Sequence, residues 1–251
     1  MSGHSKWSSI KHKKGAADAK RGKLFSKLAR SIIVAAKEGG GDPLNNLALA
    51  NAIEKAKSYS MPKDNIDRAI AKGTGSGADQ DAFEAIVYEG YGPEGVAVIV
   101  EALTDNRNRT ASEVRHIFAK FGGNLGTTGA VAWQFERRGV VIVNADGVNE
   151  DELFLAAADA GAEDLLQDGD VFQVTSAAEN LRAVRQAIEG GGFAIESAEL
   201  SMLPKNTVAV EDEGKAKQLM RMIDALEDDD DVQEVYANFD IPEKVLEAAT
   251  A

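Results

Sequence analysis

The chain has 251 residues, 44% of them hydrophobic, with 28 Lys/Arg against 41 Asp/Glu and a formal net charge of -13. That length exceeds most single hydrophobic cores and implies two or three domains. The lack of cysteine excludes disulfides, cysteine-ligated zinc, iron–sulfur clusters and thiol nucleophiles; with no apolar run near the ~20 residues of a membrane span and no apolar stretch at the start, the sequence predicts a soluble, cytoplasmic protein.

The charge is unevenly placed. Residues 1–75 carry 15 Lys/Arg and 6 Asp/Glu, a balance of +9, whereas the remainder carries 13 and 35, a balance of -22. Between Gly3 and Lys37 only Asp18 interrupts the cations Lys6, Lys11, Lys13, Lys14, Lys20, Arg21, Lys23, Lys27, Arg30 and Lys37. An acidic protein that gathers positive charge at one end predicts a polyanionic partner, and nucleic acid is the usual one. The competing reading is an ordinary acidic protein with a solvated basic tail.

In chain order, 17–38 predicts an amphipathic helix. Leu24, Phe25, Leu28, Ala29, Ile32, Ala35 and Ala36 share one face, and Lys20, Lys23, Lys27 and Arg30 fall within roughly 80° on the other at ~100° per residue. Gly39–Gly41 ends it, a second helix follows over 44–58, and Met61-Pro62 separates a third over 63–72, giving a small bundle. Gly73 to Gly77 reads as a linker. Strands are then expected at 83–89, 96–103 and 131–135, with a helix at 111–121.

From Gly139 the pattern is strand 140–144, helix 150–160, strands 163–167 and 171–175, helix 177–189 and strand 193–200. This βαββαβ order predicts a ferredoxin-like unit. A further strand (207–210), helix (213–226) and strand (232–239) supply what the unit before Gly139 lacks, and a short helix is expected after Pro242. The predicted fold class is therefore α+β and multidomain: an N-terminal three-helix domain (1–77) and two ferredoxin-like α/β domains, one (138–201) inserted in the other (78–137 and 202–251). Consecutive independent domains are the alternative.

Candidate chemistry begins with the basic segment. Lys6, Lys11, Lys13, Lys14, Lys20, Lys23, Lys27 and Arg30 are candidate phosphate contacts. Trp7 is either a stacking surface for a base or a buried anchor of the N-terminal segment. The second candidate is the 104–110 loop, where Thr110 and Glu113 fit a capping box. Arg107, Asn108 and Arg109 then stand near a helix N-terminus, placed to hold a phosphate or carboxylate, or else to pair with local acids such as Asp105.

Other features point to no chemistry of their own. Gly122 to Gly129 is a Gly-rich loop that follows a helix, so it predicts a structural turn and not a phosphate cradle. Lys20-Arg21-Gly22-Lys23 lacks the Walker A spacing and its Ser/Thr. His4, His12 and His116 are scattered, so no metal site is predicted; Asp228 to Asp231 reads as a solvated acidic turn. No cofactor and no small-molecule substrate are indicated. A metal-dependent nuclease and a pure protein adaptor remain alternatives to a nucleic-acid-binding regulator.

GHSKW at the start, RGKLFSKLAR, MPKDNIDRAI, YEGYGPEGVAVIVEALTDNRNRT and GGNLGTTGAVAWQF together resemble the YebC/PmpR family, which includes the mitochondrial translational activator of cytochrome oxidase subunit I. The resemblance spans essentially the whole chain. It implies three domains, one inserted in another, and a non-enzymatic role, either as a DNA-binding transcriptional regulator or as a ribosome-associated factor that helps translation through difficult stretches. It also implies nucleic-acid contact at Lys6, Trp7, Lys11, Lys13, Lys14, Lys23 and Lys27 and a second functional site at Arg107 and Arg109. The basic segment is rich in Lys and poor in Asn/Gln, which favours backbone contact over base reading and so RNA or the ribosome as partner; family usage favours transcription.

Overall fold

A computed structural model describes residues 18–75, 83–242 and 244–246, with residues 18–21 described by their backbone alone. Three helices open the described chain: α1 (Asp18–Gly39), α2 (Leu47–Ser58) and α3 (Lys63–Thr74). Their shared core is Leu28, Ile32, Ala35 and Ala36 of α1 with Leu49, Ile53, Ile66 and Ala69, so the apolar face expected for α1 is the one that packs. Asn46 joins the first two helices: its Oδ1 caps Leu49 N, and its Nδ2 donates to Ala35 O and Gly40 O.

Gly73, expected to start the linker, is instead the penultimate residue of α3. A Cβ there would lie 2.5 Å from Ile33 O and 2.8 Å from Ala36 Cβ. The glycine lets α3 close on α1; the rest of the expected linker, from residue 76, lies outside the described residues.

The second part is a sheet of order β3-β1-β2-β9, built from β1 (Glu84–Tyr91), β2 (Ala97–Thr104), β3 (Asn124–Leu125) and β9 (Val232–Ala237). Helices α4 (Arg107–Lys120) and α7 (Glu213–Glu227) cover one face around Val98, Val100, Phe118, Leu219, Ile223 and Val235. On the other face Ala97, Ile99 and Tyr236 meet Val131 and Phe135. Strand β9 pairs antiparallel with β2, Val100 opposite Val235 and Val98 opposite Ala237. Residues 135 to 139 positions apart in sequence thus complete one sheet. Two short strands, β8 (Val208–Ala209) and β10 (Phe239–Asp240), pair in parallel beside it.

Between these pieces runs β4 (Phe135–Asn144), α5 (Glu150–Ala158), β5 (Ala162–Asp168), β6 (Val171–Ala177), α6 (Leu181–Gly190) and β7 (Ile195–Pro204). The sheet order β5-β6-β4-β7, all pairs antiparallel, is the ferredoxin-like arrangement. The fold is α+β and multidomain, with a helical domain and two α/β domains, one inserted in the other. Strands β4 and β7 pair from Phe135–Pro204 onward, so both run across residues 137–138 and 201–202.

Two local expectations are corrected. Most of the segment 131–135 is not a strand: Ala132–Gln134 form a 3-10 turn, and only Phe135 pairs, as the first residue of β4; the Glu89 carboxylate accepts the Val131 and Ala132 amides that a ladder would have used. Helix α4 begins at Arg107 and not near Ala111. Its cap is Asn106, in extended backbone, whose side chain accepts from Arg109 N at 3.1 Å. Thr110 is consequently inside the helix, and the expected Thr110–Glu113 capping box does not form.

Candidate nucleic-acid interface

Lys6, Trp7, Lys11, Lys13 and Lys14 lie outside the described residues, as does the side chain of Lys20. Lys23, Lys27 and Arg30 are described, on the polar side of α1, and they do not form the solvent-facing ridge expected of them. Lys23 Nζ donates to Asp228 O at 2.6 Å and pairs with Asp230 at 3.1 Å. Lys27 Nζ donates to Glu227 O at 2.6 Å. The Arg30 guanidinium reaches Leu103 O, Asp230 O and Asp231 Oδ1 at 2.8–3.0 Å and lies over the Phe83 ring. Both faces of α1 are therefore packed, one by apolar side chains and the other by the turn after α7. The carbonyls at a helix C-terminus carry partial negative charge, which strengthens this contact.

The two ends of the contact differ in strength. Lys23 and Asp230 keep 51% and 72% of their side-chain exposure, and pairs of that kind contribute about 0–1 kcal/mol. Asp231 is different: it was expected in a solvated turn, yet it is buried, and both of its oxygens are used. Oδ1 takes Arg30; Oδ2 takes Arg109 at 2.6 Å, Thr110 at 2.7 Å and Thr104 at 3.0 Å. Burial works against the Asp231 carboxylate, but the donors Arg109, Thr110 and Thr104 outweigh it and hold its pKa below the ordinary range. Nothing in a run of four aspartates marks the fourth as the buried one; only its position at the start of β9 distinguishes it.

The second candidate site divides in the same way. Arg109 is held by Asp231 and, at 2.9 Å, by Asp105, the local pairing that the sequence left open. Arg107, at the first position of α4, is exposed, and its nearest carboxylate is Glu84 at 3.7 Å. Asn108 is exposed beside it.

Among the described residues, one trio of carboxylates is spaced as metal ligands would be: Glu113, Asp229 and Asp231, with oxygens within 4.8 Å of one another. Asp231 already spends both oxygens on two guanidiniums and two hydroxyls, so the cations of this site are arginines. Burial, and then the neighbouring Asp229, push the Glu113 carboxyl up.

A cavity of about 940 Å³ lies where the helical domain meets both sheets. Lys55 of α2 crosses it to Glu199 of β7 at 2.9 Å and to Glu234 of β9, and Arg185 of α6 pairs with Glu54. Burial disfavours the Lys55 ammonium, but Glu199 and Glu234 override it and raise its pKa well above the ordinary lysine value. Glu101, on the same wall, is pushed up by burial and then by Glu234, and Tyr236 is pushed up by burial and then by Glu234 and Glu101. These groups fasten the three domains together. They offer neither a paired nucleophile and base nor an oxyanion site.

Comparison with known proteins gives a consistent picture. A family described as "TACO1/YebC protein N-terminal domain" matches residues 5–76, and one described as "TACO1/YebC second and third domain" matches residues 83–239. A "Probable transcriptional regulatory protein" of Rubrobacter xylanophilus is 62% identical over 246 residues, covering 98% of each chain. A similarly named protein of Desulfotalea psychrophila is 56% identical over 247 residues, again covering 98% of each. The crystal structure of a conserved hypothetical protein from Aquifex aeolicus superposes with a TM-score of 0.82 at 50% identity, over 91% of this chain and 94% of that one. No described helix is long and apolar enough to cross a membrane.

Proposed function

The chain belongs to the TACO1/YebC family, and from that membership and its charge layout we propose that it is a non-enzymatic, nucleic-acid-binding regulator of gene expression, acting on transcription through DNA. The observation that carries the proposal is the docking of α1. Lys23 and Lys27 meet a row of carbonyl and carboxylate oxygens at hydrogen-bond distance, so this face already fits a spaced series of anionic oxygens, as a phosphate backbone presents. The 227–230 turn covers that face with weak, partly exposed contacts, and a polyanion displaces it there. Arg30 and Arg109 stay behind on buried Asp231 as structural ties. Lys6, Lys11, Lys13 and Lys14 extend the same charge toward the N-terminus, and Arg107 offers a separate cation.

A second reading, a ribosome-associated factor binding rRNA or tRNA, is favoured by the Lys-rich, Asn/Gln-poor composition of the basic segment, which suits phosphate and shape recognition over base reading. The test is sedimentation of cell lysate at low and moderate salt, alongside equilibrium binding to promoter-containing and random duplexes. Preference for a defined duplex supports the transcriptional reading; salt-sensitive co-migration with ribosomes supports the second. Failure to bind any nucleic acid at low salt overturns both.

A further inference from the structure

Trp133 is 66% exposed, and the turn that carries it is tied down by hydrogen bonds. It sits at the centre of the 3-10 turn Ala132–Gln134, between Val131 and Phe135, which are both buried in the core beneath. The turn is shaped from inside by Glu89, a buried carboxylate that accepts the amides of Gly129, Val131 and Ala132 at 2.7–2.8 Å. Burial alone would raise the Glu89 pKa, but those three amides lower it. Gly129 adopts φ +85, which lets the chain reverse above the carboxylate. The Ala130 carbonyl accepts from the Tyr91 hydroxyl at 3.1 Å and from Trp133 Nε1 at 3.2 Å.

A buried charge with three backbone donors is a costly way to fix a surface turn, and its result is a fixed indole whose N–H is already used. What the ring has left to offer is its face. The exposed residues joined to this turn are small or polar: Thr127, Thr128 and Gly129 precede it in the chain, and Lys205, also exposed, donates its backbone amide to Gln134 O at 2.8 Å. Among the described residues no carboxylate lies within ion-pair distance of the Lys205 ammonium. The other exposed large apolar side chains, such as Leu44, Leu47 and Leu155, belong to other elements. A protein-docking patch would gather apolar neighbours, whereas an exposed aromatic face on a turn flanked by exposed threonines and joined to an exposed lysine suits a planar base attached to a phosphate.

We infer that Trp133 is a stacking platform for an unpaired nucleobase, with Lys205 placed for the adjoining phosphate. This rests on the nucleic-acid reading above and adds a strand type to it: a single strand or loop with bases splayed outward.

The test uses the full chain carrying Trp7→Phe, in which Trp133 is the one remaining tryptophan. Its emission is followed while a short single-stranded oligouridylate is added, and binding is measured independently by the anisotropy of a labelled copy; every comparison is made within this background. The expected result is quenching of Trp133 in step with binding, with affinity about 5- to 150-fold weaker in Trp133→Ala, the range for loss of one base stack. Trp133→Phe should retain part of the affinity, and Lys205→Gln should lower the salt dependence. Unchanged emission with unchanged affinity in Trp133→Ala overturns the platform and leaves the nucleic-acid reading standing. Quenching only by a duplex overturns the assignment to unpaired bases, and absence of binding by the unsubstituted chain to any strand or duplex overturns both proposals.

Discussion

Arg30 Nη1 and Asp231 Oδ1 lie 3.0 Å apart across 201 residues of sequence, and the other oxygen of Asp231 binds Arg109, Thr104 and Thr110. One buried carboxylate therefore ties α1 to β2, α4 and the start of β9. Asp231→Ala removes one acceptor from each of two guanidiniums and two hydroxyls that keep other partners in part, and is expected to destabilise by about 1–3 kcal/mol in urea unfolding. The pH dependence has a definite sign. Because the folded pKa is lowered, the stabilisation is complete above the unfolded carboxylate pKa and fades as pH falls through the lower folded value. Asp231→Asn should accordingly lose most at neutral pH and converge on the parent in strong acid.

The two faces of α1 separate stability from binding. Leu28 is buried, so Leu28→Ala should cost about 2–5 kcal/mol. Lys23→Ala removes only an exposed ion pair and a carbonyl contact, and should move the unfolding midpoint by less than about 1 kcal/mol while weakening nucleic-acid binding. Equal effects of the two substitutions on stability would contradict this division.

If the 227–230 turn competes with nucleic acid for α1, neutralising it should help the ligand. Asp228→Asn with Asp230→Asn is expected to tighten binding by up to about fivefold, the equivalent of one exposed ion pair released. The slope of affinity against salt should steepen, because more cations then meet phosphate. Anisotropy titrations across a salt series provide the measurement; unchanged affinity and slope would show that the turn does not compete.

Glu101 is destabilising in its charged form, since burial and then Glu234 raise its pKa. A raised folded pKa in an acid means that stability is gained as pH falls and the carboxyl takes up its proton. Glu101→Gln should raise the melting temperature at neutral pH, with the advantage vanishing below the ordinary carboxylate range. Calorimetry at neutral and acidic pH checks both parts.

Periodicity carried most of the fold. The apolar spacing of Leu28, Ile32 and Ala35, the βαββαβ order around Val141 and Val174, and the hydrophobic run that becomes β9 are all visible in the sequence because burial imposes period on side chains. Contacts between polar residues distant in sequence leave no such period. The Asp228–Asp231 run reads as solvent-exposed throughout, and only the fold reveals that its last member is enclosed. At 131–135 the apolar composition was a true signal of burial but a false one of strand, because Glu89 had already claimed the amides. At 106–110 the Thr110–Glu113 signal misleads, because Thr110 is turned inward to Thr104 and Asp231 and Asn106 caps the helix one turn earlier. The exposure of Trp133 has no sequence signal for a related reason: 131–135 reads as a strand, and a carboxylate more than 40 residues earlier that takes its amides cannot be recognised from spacing.

The pairing of β2 with β9 also sets an order of events during synthesis. The inserted βαββαβ unit has all of its strands once residue 204 has emerged, but the surrounding sheet lacks its edge, and Arg30 lacks the Asp231 carboxylate, until residues 231–237 follow. Through that interval the basic side of α1 lacks the turn that covers it in the finished chain. The 227–231 turn, arriving last, completes the cover over that side of the helix.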